Sequence, residues 1–207
     1  ILSGMNLRVR AGEVVSIIGG ATGAKAVLGR VLNGQLGVEG GAVLRGGPVG
    51  PTLSSPMGFN TGGTALRGLE LRAAAYGLEL DPYVNAVASL LRDPEDLRQP
   101  VMTLGPSERL TILYGSALLL PCTHYTNNSG PLPADKRAKA ALKPLFREVL
   151  KRAGFICLNK GMITREKFPN QRFLRLHAGQ LHPLEEFEEI QKTIGSNKKA
   201  EAAETVA

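Results

Sequence analysis

The stretch IIGGATGAKAVLGR, residues 17 to 30, constrains the fold more than any other part of the chain. Val14 to Ile18 is a short apolar run with β-branched residues, and it ends at Gly19-Gly20. Such a run fits a strand buried on both faces, as in a parallel sheet. From Lys25 the spacing turns helical, with apolar residues at Val27, Leu28, Val31, Leu32 and Leu36. A glycine-rich loop between a strand and a helix is the setting a phosphate-binding loop needs. Its backbone N–H groups and the positive end of the helix hold phosphate oxygens. Gly19 and Lys25 keep the spacing G-x-x-x-x-G-K-[ST], but Ala24 replaces the second glycine and Ala26 the hydroxyl. Ala24 adds a Cβ where glycine lets the backbone approach phosphate. Neither Ala26 nor Val27 carries a hydroxyl that could ligate a metal. The candidate nucleotide-binding residues are Gly19, Gly20, Ala21, Thr22, Gly23, Ala24, Lys25, Ala26 and Val27. The plain alternative is a tight strand-to-helix turn that binds nothing.

The remaining chain reads as strands and helices around such a loop. Leu2, Met5, Leu7 and Val9 nearly alternate, which predicts a half-exposed strand before the buried one. Residues 37 to 51 read as short strand pieces with tight turns, and 52 to 63 as a loop. Helices are predicted over Ala65 to Tyr76 and Pro82 to Leu91. A strongly apolar helix follows over 107 to 120, with Ser107 as its N-cap. Cys122 to Thr126 reads as a strand, Leu132 to Ala153 as an amphipathic helix rich in Lys and Arg, and Phe155 to Leu158 as a buried strand. Phe173 to Leu176 and Gln180 to Leu181 flank a hairpin turn. Pro183 to Ile194 reads as a last helix, and 195 to 207 as a disordered tail. This order points to an α/β domain with a parallel sheet.

Composition narrows the partners. The net charge is +7 and the pI about 9.6, which suits nucleic acid, anionic lipid or an acidic partner. The basic residues are spread along the chain. There is no Trp and aromatics make up 5%, so base-stacking platforms are not expected. No apolar run reaches the roughly 18 residues of a membrane span. The chain opens on Ile1 without a signal peptide, which reads as a truncated or processed start. Cys122 and Cys157 sit in separate apolar segments and read as buried free thiols of a reducing compartment.

Several segments resemble the ATP-binding subunits of ABC transporters. The branch they are most similar to energises export of capsular or other cell-surface polysaccharides. NLRVRAGEVVSIIGG (6 to 20) resembles the opening strand pair, and LNGQLGVEGGAVLRGG (32 to 47) the turn after the phosphate loop. LRAAAYGLELDPYVNAVASL (71 to 90) and DLRQPVMTLGPSERL (96 to 110) resemble the helical subdomain and the approach to the signature motif. FLRLHAGQL (173 to 181) resembles the closing hairpin. The resemblance implies a P-loop NTPase fold: a parallel-sheet core, N-terminal antiparallel strands and a small helical subdomain over about 64 to 120. The domain would run from residue 1 to 194.

The catalytic motifs are where the likeness fails. The family needs Asp for magnesium and then Glu to orient water after the apolar helix. Here Asn127-Asn128 stands near that place, and no Asp or Glu occurs between Glu108 and Asp135. An amide neither attracts the cation nor takes the proton. The signature loop that grips a partner's γ-phosphate is reduced to Thr103, Gly105 and Pro106, and proline removes an amide donor. Lys160 stands where the family has its switch histidine, and Asn60 is the nearest polar residue to its membrane-sensing glutamine. His124, His177 and His182 show no metal-ligand spacing. Arg165, Lys167 and Arg172 hint at the lid of a small-molecule kinase, but the hairpin fits the transporter family better.

The resemblance therefore implies a degenerate ATP-binding subunit, structural or regulatory, with weak or no hydrolysis. The cofactor would be ATP, with magnesium poorly held. The partners would be a membrane permease and a second ATP-binding subunit, identical or not, with no nucleic acid. The site of action would be the cytoplasmic face of the plasma membrane. Two alternatives stay open: an active transport ATPase with groups supplied in trans, and a scaffold that binds no nucleotide.

Overall fold

The computed structural model describes residues 2–20, 22–53, 55–56, 58–59, 62–127, 135–158 and 171–184. A five-stranded sheet forms its centre, with strands 124–127, 154–157, 14–19, 171–177 and 180–184 in that order from edge to edge. The strands are β1 (Val14–Gly19), β2 (His124–Asn127), β3 (Gly154–Cys157), β4 (Gln171–His177) and β5 (Gln180–Leu184). The pairs of β1 with β3, β1 with β4 and β2 with β3 are parallel, and only β5 returns antiparallel. Residues 49–53 run along the free edge of β2, where Gly50 N–H donates to His124 O at 3.0 Å and Leu53 N–H to Thr126 O at 2.8 Å.

β1 is buried along its whole length, as its unbroken apolar run requires of a central parallel strand. On one face Val15 and Ile17 pack with Leu28, Ile156, Leu158, Leu174 and Leu176 under helix α1 (Thr22–Leu32). On the other face Val14 joins the larger cluster beneath α2 (Ala65–Tyr76), α3 (Leu80–Ala88), α4 (Pro106–Leu118) and α5 (Lys136–Arg152). There Tyr125 stacks on Phe155 with centroids 5.2 Å apart, and Phe146 leans on Phe155 at 5.6 Å. Each such buried side chain contributes about 1.5–3 kcal/mol of transfer free energy.

Local chemistry sets the helix ends. Thr64 accepts from Arg67 N–H and starts α2, and Gly77 at φ 64 closes it with N–H bonds back to Ala73 and Ala74 carbonyls. Asp135 accepts from Ala138 N–H at 2.8 Å and starts α5. Ala138, Leu142, Phe146 and Val149 then recur on its buried face.

Several sequence expectations shift. The N-terminal antiparallel strand is not formed, for residues 2–13 carry no strand. Leu2, Met5, Leu7 and Val9 instead cover the cluster under α1, on a chain bent by Gly4 at φ 60 and Gly12 at φ 80. Residues 37–48 carry no strand, and Val49 makes a single bridge with His124. Ser107 is not the cap of α4. Gly105 takes that place because Pro106, with φ preset, fits the first helical position. Pro183 and Leu184 belong to β5 rather than to a helix. The rest of the expected last helix and the tail lie outside the described residues. Cys122 and Cys157 are both buried and free. Among the described residues no helix is long and apolar enough to cross a membrane.

Candidate nucleotide site

The site is built where β1 hands over to α1. Gly19 and Gly20 adopt φ 81 and 66, values that L side chains resist. A Cβ on Gly19 would lie 2.9 Å from the Leu176 carbonyl, and one on Gly20 would lie 2.8 Å from the Leu176 side chain. The two glycines thus let the chain leave the sheet tightly against β4. α1 starts at Thr22, so the backbone N–H groups of its first turn lack partners within the helix and carry its positive end. Lys25 sits in that turn and is only 7% exposed. Ala24 packs against the apolar cluster beneath α1. Gly23 is exposed, with nothing within 4 Å of where its Cβ would be. The structure therefore brings Gly19, Gly20, Gly23, Ala24, Lys25, Ala26 and Val27 into one strand–loop–helix junction. Ala21 and the side chain of Thr22 fall outside the described residues.

Asn127 lies on a different strand from the one that leads into this junction. It ends β2, with β3 between it and β1, about 10 Å away across the sheet. The register sets Asn127 beside Cys157 and Cys157 beside Ser16, three residues short of Gly19. Its side chain is fully buried and shares the face of Tyr125, where Nδ2 donates to the Tyr114 hydroxyl at 3.3 Å. Thr126 points the other way. Its hydroxyl donates to Asn33 Oδ1 at 2.9 Å, and Asn33 Nδ2 donates to Thr52 Oγ1 at 2.7 Å. This network links the end of α1, the 49–53 segment and β2. Sequence reasoning missed it because its members lie up to 93 residues apart. Asn128, Asn60 and Lys160 lie outside the described residues.

Among the described residues of the junction, Ala26 and Val27 carry no side-chain oxygen that could ligate magnesium, and Asn127 Nδ2 donates to the Tyr114 hydroxyl. Among the described residues no cluster of His, Cys, Asp and Glu could hold a metal ion. A phosphate chain fits better, because the junction presents main-chain N–H groups and one lysine.

The region resembling the signature motif, 96 to 110, carries Asp96 and Glu108 against Arg98 and Arg109 and so has no net charge to draw phosphate. Thr103 Oγ1 donates to Pro100 O at 2.8 Å. The Glu108 carboxylate folds back over Gly105, 2.6 Å from where a Cβ would stand there. Desolvation, with Asp93 and Glu108 nearby, holds the Asp96 carboxyl above its usual range.

One buried cation went unforeseen. Arg72 of α2 lies 4.5 Å over the Phe59 ring, donates to Ser116 Oγ of α4 and reaches Ser55 O. Burial lowers its pKa from the ordinary arginine value. It ties the loop after the 49–53 segment to the middle of α4. Arg172 is no lid residue: its Nε donates to Glu13 at 2.8 Å and pins β4 to the turn before β1. His124 keeps its ring near Leu32 O at 3.4 Å, and burial lowers its pKa.

This junction of buried parallel strand, double-glycine loop and lysine-bearing helix, with helices α2 to α4 inserted in the chain between α1 and β2, has solved counterparts. The fold is that of an ABC transporter ATP-binding subunit. An ATP-binding subunit of an ABC transporter superposes with a TM-score of 0.71 at 22% identity, over 94% of this chain and 87% of that one. A dimeric bacterial ABC transporter cassette gives 0.67 at 16% identity, over 90% of this chain and 91% of that one. A protein described as a putative cobalt transport ATP-binding protein gives 0.66 at 19% identity, over 87% of this chain and 71% of that one. No protein-family model matches the chain. No curated protein matches it either.

Proposed function

We propose that the chain is a degenerate ATP-binding subunit of an ABC transporter that holds nucleotide weakly, hydrolyses little or none, and acts structurally or by regulating a competent partner. The observation that carries this reading is the junction itself. It keeps Gly19, Gly20 and the buried Lys25 at a helix start, yet among the described residues Ala26 and Val27 carry no side-chain oxygen for a metal and no carboxylate stands in the junction. Main-chain N–H groups of the first turn of α1 would hold the phosphates, and Lys25 would add its charge near the outer ones. Positioning, metal and general-base contributions each carry large rate factors, and losing them together leaves turnover slow.

The resembling segments support a place in polysaccharide export, beside a membrane permease and a second ATP-binding subunit at the cytoplasmic face of the membrane. The test is titration with a fluorescent ATP analogue, with and without magnesium, together with ATP turnover by the chain alone. Saturable binding that weakens in Lys25→Ala, changes little with magnesium and comes without turnover is expected. Brisk, magnesium-dependent turnover abolished by Lys25→Ala would sink the reading in favour of an active ATPase. No binding up to millimolar ligand would leave a nucleotide-free scaffold.

A further inference from the structure

The exposed face of α5 carries a line of positive charge along its whole length. Lys136, Lys139, Lys143, Arg147 and Lys151 recur at intervals of three or four residues. At 100° per residue they fall within about 120° of arc, centred about 120° round the helix from the buried stripe, and span about 22 Å. All five residues are exposed. The single acid within the helix, Glu148, is held by Lys151 at 2.6 Å. Among the described residues Lys136, Lys139, Lys143 and Arg147 make no ion pair. The segment 8–13 passes the last turn of α5, where Gly12 N–H donates to Ala153 O at 3.1 Å, and it adds exposed Arg8 and Arg10 to that end.

This pattern works against the helix that bears it. Like charges four residues apart repel, and three such pairs run in series at 139/143, 143/147 and 147/151. Its first turn holds no acid beyond the cap Asp135, and instead places Lys136 and Lys139 at the positive end. A local electrostatic cost without local gain marks a surface kept for a partner.

We infer that the α5 stripe docks on a membrane surface rich in anionic phospholipid. The choice of phospholipid over other polyanions rests on the reading of the chain as a transporter subunit, and three features of the stripe favour it. Four of the five cations are lysines, point charges rather than the forked guanidinium that grips single phosphates. The other residues on this face, Ala140 and Leu150 with Pro144 at its margin, offer no aromatic ring for stacking and no side-chain amide for reading bases. A straight line of charge on a convex helix fits a plane of headgroups.

The test is cosedimentation with vesicles of phosphatidylcholine alone or containing phosphatidylglycerol, at low and high salt. The wild type is compared with Lys139→Gln/Lys143→Gln/Arg147→Gln. Glutamine keeps the helix propensity, and removing the repulsions should leave circular dichroism unchanged and the melting temperature equal or higher. Binding is expected to need phosphatidylglycerol, to fall with salt, and to weaken on the order of 100-fold in the variant, at about fivefold per charge. No binding by the wild type, or equal binding by the folded variant, overturns the proposal. So does stripe-dependent binding to a labelled oligonucleotide that exceeds binding to the vesicles. These outcomes need no nucleotide, so they are separable from failure of the ATP reading.

Discussion

Replacing Gly19 by alanine should cost far more than replacing Gly23, although both belong to the same glycine-rich loop. Gly19 sits at φ 81, and an alanine held there costs about 1–2 kcal/mol in backbone strain. Its Cβ would also stand 2.9 Å from the Leu176 carbonyl, closer than real Cβ atoms come, and that neighbour is main chain. Gly19 pairs with Leu176 at the end of the β1–β4 ladder, so relief means losing about one hydrogen bond there, roughly 1 kcal/mol. The sum is about 2–3 kcal/mol, which for a domain of this size lowers the melting temperature by about 4–12 °C. Gly23 lies inside α1 with nothing near its missing Cβ. Alanine there should stabilise by about 0.5–1 kcal/mol through backbone entropy and helix propensity. Gly20→Ala should fall between, because its clash is with a movable Leu176 side chain. Thermal unfolding followed by circular dichroism ranks the three variants. A Gly19→Ala melting temperature within 1 °C of wild type, or a larger loss at Gly23, refutes the reasoning.

Three further outcomes are expected. Gly68→Ala should destabilise the protein by more than about 2 kcal/mol in urea, although helix propensity alone favours alanine, because the Cβ would lie 2.1 Å from the Phe59 ring. Asn127→Asp should confer no magnesium-dependent turnover. It should also cost about 3 kcal/mol at neutral pH, since the charge would be buried beside Tyr114. Burial would raise that carboxyl's folded pKa above its unfolded value, so the deficit should shrink as pH falls, which urea titrations at two pH values would show. Burial pushes Cys122 up to about 11 and Cys157 up to about 12. Neither thiol should react with a disulfide reagent at pH 8 until denaturant is added. A group whose pKa is raised on folding gives stability that is full below its unfolded value and lost above it. Stability should therefore decline as pH climbs from about 9 toward 11.

Sequence alone determined the parts whose signal is local. The unbroken run at Val14–Ile18, the double glycine and the helical spacing after Lys25 fixed strand, loop and helix, because each rests on near neighbours. The same holds for α2, whose cap Thr64 and terminator Gly77 bracket its ends. The lack of acids between Glu108 and Asp135 was also plain in the sequence. Tertiary structure decided what depends on strand register and on which face a side chain takes. Nothing near Asn127 in sequence says that its amide turns to Tyr114, since that follows from pairing with β3 and from the pleat. Alternation at Leu2 to Val9 read as a strand, but apolar side chains covering a core need no ladder partner to alternate. Nothing local in the sequence marks Arg72 for burial; packing sets it over Phe59. The amphipathic, Lys- and Arg-rich character of α5 was legible in its spacing, and packing decided which neighbours its apolar face meets. Long-range pairing, pleat and helical pitch bring distant residues together, and a linear sequence holds those relations only through the fold.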